Sequence, residues 1–319
     1  MDGKLPYYPY SEYLKHRYGE KVYKLSVNLP VGCPNRLTGR GCAFCSELGA
    51  GFEAMESSVP VREQLLKMRQ RIEEKYHAHR FIAYFQNYTN TFLPLPRFRN
   101  YMEEAAKFPD IVELAVSTRP DCISVEYLEI LAGIRKRYGI HITIELGLQT
   151  SNYHTLMQMG RGHTLAEFID AVLAVRSYDF DICAHVILNL PGDTLFDAVE
   201  TAKFLSALRV QIVKAHSLYI AKGTSLCEAY EKGEVSICTK EAYLKRAAAF
   251  LDYLNPEIAV ERLFSRVPEK DAVFCNWGIS WWKLRDELLE YMRGTGSFQG
   301  RKFHYLDGAA LGALEEANR

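Results

Sequence analysis

Six short apolar runs alternate with amphipathic stretches, and this alternation restricts the fold more than any other feature of the chain. The runs are Tyr23–Pro30, Phe81–Gln86, Ile111–Val116, His141–Gly147, Asp181–Leu188 and Val210–His216. Between them lie stretches with apolar residues at helical spacing: 60–77, Arg97–Lys107, Ser124–Tyr138 with Gly139 as its C-cap, Leu165–Ser177 and Asp197–Leu208. Strand–helix alternation of this kind predicts a parallel sheet with right-handed crossovers. On its own it leaves a doubly wound sheet and a barrel both open. Either one places its chemistry beyond the C-terminal ends of the strands.

Beyond the first such end stands Cys33-Pro-Asn-Arg-Leu-Thr-Gly-Arg-Gly-Cys42-Ala-Phe-Cys45, a C-x8-C-x2-C loop. Two glycines and a proline between the first two cysteines let the loop close three thiolates around one centre. A structural zinc site wants four closed ligands, so Cys122 or His77 would have to complete it from afar. A [4Fe–4S] cluster held by three cysteines leaves one iron without a protein ligand, open to a small chelating molecule.

The residues around this loop select between these readings. Cys33-Pro-Asn-Arg, Gly41-Cys-Ala-Phe-Cys45, Tyr84-Phe-Gln-Asn-Tyr-Thr-Asn-Thr91, Arg119-Pro-Asp-Cys122, Glu145-Leu-Gly-Leu-Gln149, Arg161-Gly-His163, Leu190-Pro-Gly192 and Lys214-Ala-His216 follow one another across most of the chain. Together they resemble the radical S-adenosylmethionine enzymes. Within that superfamily they are similar to the branch of the elongator catalytic subunit, and most closely to its short YhcC/YtqA-like group. The long first spacing departs from the superfamily's common C-x3-C-x2-C and suits this branch. The chain has no room for the elongator subunit's acetyltransferase domain.

The resemblance implies a partial (β/α)6 TIM-type barrel over 23–217, a lead-in over 1–22 and a C-terminal extension over 218–319 packed on the barrel. It implies two cofactors, a [4Fe–4S] cluster on Cys33, Cys42 and Cys45 and S-adenosyl-L-methionine. For the latter it points to Phe44 shielding the adenine, Thr89 near the methionine amino group, Gln149 on the ribose and Arg161 on the carboxylate. It adds the turn after the fifth strand, Asn189 to Gly192, as a contact to the adenine. The glycine-rich amino-binding segment usual in the superfamily is missing after the second strand. His163 assists Arg161 or caps the following helix.

Glu145, Lys214 and His216 are the catalytic candidates. Glu145 and Gln149 are evenly spaced, so one strand face can carry both inward. A buried carboxylate needs a cationic partner, and a substrate amine and a structural salt bridge both satisfy that requirement. Lys214, within an apolar run, pairs with Glu145 or Asp121, or contacts substrate. The other five cysteines read as small core residues, with Cys122 and Cys183 nearest the mouth.

The same resemblance makes a tRNA wobble uridine the most specific expectation for the substrate, with a flavodoxin or ferredoxin as electron donor. Arg36, Arg40, Arg97, Arg99, Arg293, Arg301 and Lys302 are the residues to meet phosphates. Formal net charge is zero, and RNA-binding domains usually carry a clear basic surface. A small-molecule or protein substrate therefore stays open, as does a non-catalytic iron–sulfur or zinc scaffold. No run of eighteen apolar residues predicts a membrane span, and eight cysteines with three clustered suit a reducing cytoplasm. The three tryptophans, Trp277, Trp281 and Trp282, fall in the C-terminal part, followed by the glycine-rich basic stretch from Arg293 to Lys302, which is expected to be flexible.

Overall fold

The computed structural model describes residues 5–37, 39, 41–45 and 54–311. Arg40, one of the basic residues singled out above, lies outside them. The chain runs α1 (Tyr10–Tyr18), β1 (Val22–Val27), α2 (Pro34–Leu37), α3 (Val61–Tyr76), β2 (Arg80–Phe85), α4 (Leu95–Ala106), β3 (Ile111–Thr118) and α5 (Val125–Tyr138). It continues through β4 (His141–Gln149), α6 (Tyr153–Gln158), α7 (Leu165–Arg176), β5 (Asp181–Ile187), α8 (Leu195–Ala207) and β6 (Ile212–His216). After these come β7 (Tyr219–Ala221), α9 (Ser225–Glu231), α10 (Lys240–Tyr253), β8 (Ala259–Arg262), β9 (Ala272–Cys275) and α11 (Trp281–Thr295).

Seven strands form one parallel sheet in the order β1-β2-β3-β4-β5-β6-β8. The alternation expected from the sequence is present, and the fold is the expected partial TIM-type barrel. The strand count is seven instead of six. The extra strand, β8, comes from the C-terminal segment and joins the open side of β6. It is four residues long, too short for its pattern to stand out in sequence.

Side chains alternate across the sheet with period two. In β2, Phe81, Ala83 and Phe85 pack outward among the helices, in the large core with Leu25, Leu114, Ile144, Val186 and Val213. Ile82 and Tyr84 point inward and meet Val22, Ala115, Cys183, Ile212 and Ala259. At the N-terminal end of the barrel α1 covers this inner face, with Tyr10 and Leu14 joining the inner cluster. Tyr13 donates to Asp181 at 2.6 Å, Arg17 pairs with the same carboxylate, and Tyr18 donates to Glu113 at 2.6 Å. Gly139 sits in the left-handed conformation as the C-cap of α5. With its N-terminal end plugged, the half-barrel opens at the C-terminal end, where the cysteine loop lies.

The stretch after α11 is fastened to the fold, against the expectation of flexibility. Gln299 is buried, accepts from Tyr8 N–H at 2.8 Å and donates to the carbonyls of Asn255 and Ile258. Arg301 forks onto Asp252. Trp281 and Trp282 open α11 itself instead of preceding it. Among the described residues, no helix is long and apolar enough to cross a membrane.

Candidate active site

The cysteine loop is stapled over the strand ends by its own backbone. Ala43 donates its N–H to Met159 O at 2.9 Å, and its carbonyl accepts from Leu226 N–H at 3.0 Å. Asn35 donates to Gly160 O at 2.7 Å and to Cys42 Sγ at 3.4 Å. The fit is close at Gly162: a Cβ there would come within 2.6 Å of Asn35 Oδ1. Phe44 packs with Met159, Ile187, Leu190 and Leu218 and also lines the cavity.

Arg161 reaches the loop from below. Its Nη1 donates to Cys42 Sγ at 3.4 Å and its Nη2 to Gly147 O at 3.0 Å, while Nε is buried without a partner. Gly147 leaves room for this, since a Cβ would lie 2.5 Å from Arg161 Nη2. Arg119, forked onto Asp121, donates to Arg161 O at 2.9 Å and holds that turn in place. Burial opposes ionisation of the Cys42 thiol, but the charge and hydrogen bond of Arg161, with help from Asn35, hold it below the usual thiol range. The Cys45 thiol is pushed up, chiefly by burial. Burial and the neighbouring Arg161 charge bring His163 down to about 4, so it is neutral, with Nε2 3.0 Å from Gly147 O.

Thr89 is presented by a loop that Asn90 fixes, with its amide on the carbonyls of Phe85, Asn87 and Ser117. The Thr89 hydroxyl is buried, lines the cavity and has no partner. Gln149 ends β4 at a register bulge with φ of 76°, and it too lines the cavity. Asn189 and Gly192 stand apart. Asn189 Oδ1 accepts from Leu218 N–H at 2.6 Å, and Gly192 rests near Thr155 and Gln158.

Below the mouth, the three catalytic candidates meet residues that the sequence reading passed over. Glu145 Oε1 is 2.7 Å from Lys24 Nζ, and its Oε2 is 2.6 Å from His185 Nε2 and 3.5 Å from Lys214 Nζ. Glu261 on β8 closes the square, at 2.7 Å from Lys24 and 3.1 Å from Lys214. Tyr84 lies between the lysines and accepts from Lys214 at 3.0 Å. Two lysines and two glutamates thus cancel inside the barrel, so the salt-bridge alternative for Glu145 and Lys214 is the one the structure contains. His216 lies on the mouth side, its ring 5.7 Å from that of His185, and lines the cavity. Lys24 and Glu261 carried the same signal as Lys214, a charge inside an apolar run.

Cys183 is buried beneath this square, and Cys122 is half-buried beyond β3. Of the basic residues expected at the mouth, Arg36 lines the cavity. Arg97 instead donates to Tyr101, and Arg301 is paired with Asp252.

The donor set can be tested against the two metal readings. Cys33, Cys42 and Cys45 all line the one cavity. Three thiols suit a [4Fe–4S] cluster that keeps one iron open, whereas a closed zinc site takes four ligands. The unpartnered Thr89 hydroxyl and Arg161 Nε are buried polar groups that a ligand beside the cluster would satisfy.

Comparison with known proteins agrees. Residues 27–205 match the family model of the Radical SAM superfamily, and 210–294 match that of the Radical_SAM C-terminal domain. An uncharacterized protein of Methanocaldococcus jannaschii, MJ0486, is 33% identical over 92% of this chain and 91% of its own length. Protein YhcC of Escherichia coli K12 is 31% identical over 94% and 93%. The solved structure of Elp3 from Methanocaldococcus infernus superposes with a TM-score of 0.67 at 16% identity, covering 87% of this chain and 64% of that one. The chain therefore belongs to the radical SAM superfamily, as an enzyme of the group that contains YhcC and MJ0486.

Proposed function

We propose that Cys33, Cys42 and Cys45 hold a [4Fe–4S] cluster and that this mouth binds S-adenosylmethionine for reductive cleavage. When bound and reduced by an external one-electron donor, the cluster would pass an electron into the sulfonium, breaking a C–S bond to give methionine and a 5′-deoxyadenosyl radical. The observation that carries this reading is the convergence on one cavity of three thiols, Arg161 and the unpartnered Thr89 hydroxyl.

The chain's own residues divide the work. Arg161 stabilises the Cys42 thiolate and keeps Nε for an acceptor such as a carboxylate. Thr89 offers a hydroxyl to the same ligand. Gln149, turned at the β4 bulge, offers an amide to a ribose. Phe44 covers one side and limits water, which a radical needs. The neutralised floor fixes Tyr84, His185 and Lys214 beneath the place where a substrate would sit.

For the substrate, the elongator-branch resemblance favours a tRNA wobble uridine, whose 5-position side chain would be formed or altered. A flavodoxin or ferredoxin would deliver the electron, in a reducing cytoplasm. A small-molecule substrate keeps a place because only Arg36, among the described arginines expected at phosphates, faces the cavity.

The test is 5′-deoxyadenosine release after anaerobic cluster reconstitution with a strong reductant. Intact protein would be compared with the Cys33→Ala/Cys42→Ala/Cys45→Ala variant, with and without bulk undermodified tRNA. Release by intact protein alone supports the radical chemistry, and a large stimulation by tRNA supports the wobble-base reading. No release from protein that carries its cluster, with or without RNA, would overturn the catalytic reading in favour of a scaffold.

A further inference from the structure

Among the described residues, the charges around the cavity are matched with one exception. Lys24 and Lys214 face Glu145 and Glu261, and Arg119 faces Asp121. Arg161 lies against the Cys42 thiol, and Arg36 against the carbonyl and sulfur of Cys45. Arg262 is different. It ends β8, one residue past Glu261, and its Cα is in register with Lys214 on β6. It is half-buried and lines the cavity, and no carboxylate or hydrogen bond engages its guanidinium among the described residues. It also lines the cleft between β1 and β8, where the half-barrel stays open.

His216 is its neighbour. Burial, with the Arg262 charge next, drives this imidazole well below its usual range, so the ring is neutral and can donate one N–H. Its ring nitrogens have no hydrogen bond among the described residues, and the ring stands beside His185. A half-buried guanidinium with no carboxylate on it among the described residues, and a neutral donor next to it, leaves its fork available to a ligand. The same arrangement is a good receptor for an oxyanion, because the planar fork takes two oxygens at once.

We propose that Arg262, with His216 beside it, is the anion subsite of this cavity and takes a carboxylate or phosphate group on the substrate. This rests on the reading of the mouth as the S-adenosylmethionine site, which leaves Arg262 for the substrate. Specificity for a negatively charged substrate then comes from the C-terminal segment. Arg262 is a positioning residue in this reading.

Arginine-selective labelling with phenylglyoxal tests this on the anaerobic holoprotein, with Arg262 and the exposed Arg209 each quantified by peptide mass spectrometry. Inorganic phosphate or acetate at tens of millimolar, against chloride at matched ionic strength, is expected to slow Arg262 labelling several-fold and leave Arg209 unchanged. The stronger of the two anions identifies the group. His216→Phe should raise the anion concentration for half-protection several-fold. Equal labelling with chloride and with both oxyanions would overturn the subsite. So would protection of Arg262 by S-adenosylmethionine alone, since Arg262 would then belong to the cofactor. The readout needs no turnover, so failure of radical chemistry would show separately, as absent 5′-deoxyadenosine.

Discussion

The floor and the mouth of this half-barrel handle polar groups in opposite ways. At the floor, four charges from β1, β4, β6 and β8 satisfy one another, and Tyr84 and His185 take up the remaining valences. At the mouth, polar groups are left incomplete: the buried Thr89 hydroxyl and Arg161 Nε and, among the described residues, the half-buried Arg262 guanidinium. A folded chain completes buried polar groups unless something else completes them. The floor is therefore read as architecture and the mouth as a receptor.

Breaking the floor should have the largest effect on stability. Glu145→Gln leaves two lysines sharing one carboxylate, and removing one partner of a buried ion pair destabilises by about 3–5 kcal/mol. Urea unfolding should show that loss. Adding Lys214→Met should recover more than half of it, because the uncompensated charge leaves with its partner. A pair of additive losses would mean that the floor is not one network and would weaken the contrast with the mouth.

Acid should sharpen the same contrast. Burial alone would raise the Glu261 carboxyl, but Lys214 and Lys24 bring it down to about 2. A carboxyl lower in the folded state than its ordinary 4.5 adds stability that is fully present above pH 4.5. That stability is lost as pH falls toward about 2. Glu261→Gln should flatten the pH dependence of stability in this window and leave it unchanged between pH 6 and 8. An unchanged acid limb would place the titrating charge elsewhere.

How far the sequence disclosed these two regions follows from what each is made of. The alternation of apolar runs revealed six strands because each spans five residues or more and the first five are each followed by a helix. It missed β8, which has four residues and leads into 3-10 turns and a short strand. The cysteines and Arg161 were legible because they stand in short motifs within one loop each. The floor was only half legible. Glu145 and Lys214 stood out as charges in apolar runs, yet Lys24 and Glu261 carry the same mark, and their meeting depends on a sheet curling until its first and last strands approach. Period-two reasoning put Glu145 and Gln149 on one face, and both do line the cavity, although a bulge and a positive φ intervene. Asn189 and Gly192 were placed by family resemblance alone, and Asn189 turns out to be engaged with the backbone of Leu218.

The smallest effect is the one that separates the two regions most cleanly. Thr89→Val keeps the shape of a fully buried side chain and deletes a hydroxyl that has no partner. In the unliganded protein this removes an unsatisfied polar group, so stability should rise, by about 0.5–1 kcal/mol in thermal or urea unfolding. Binding of S-adenosylmethionine should move the other way, weakening about three- to ten-fold, the worth of one ordinary hydrogen bond. Floor variants cannot give that pairing, because their groups are already satisfied and lose stability when cut. A Thr89→Val protein that is less stable would mean that the hydroxyl has a partner within the fold. One that is more stable but binds the cofactor unchanged would place the ligand elsewhere in the mouth. Opposite signs in the two measurements would mark Thr89 as a residue kept for its ligand at the expense of the fold.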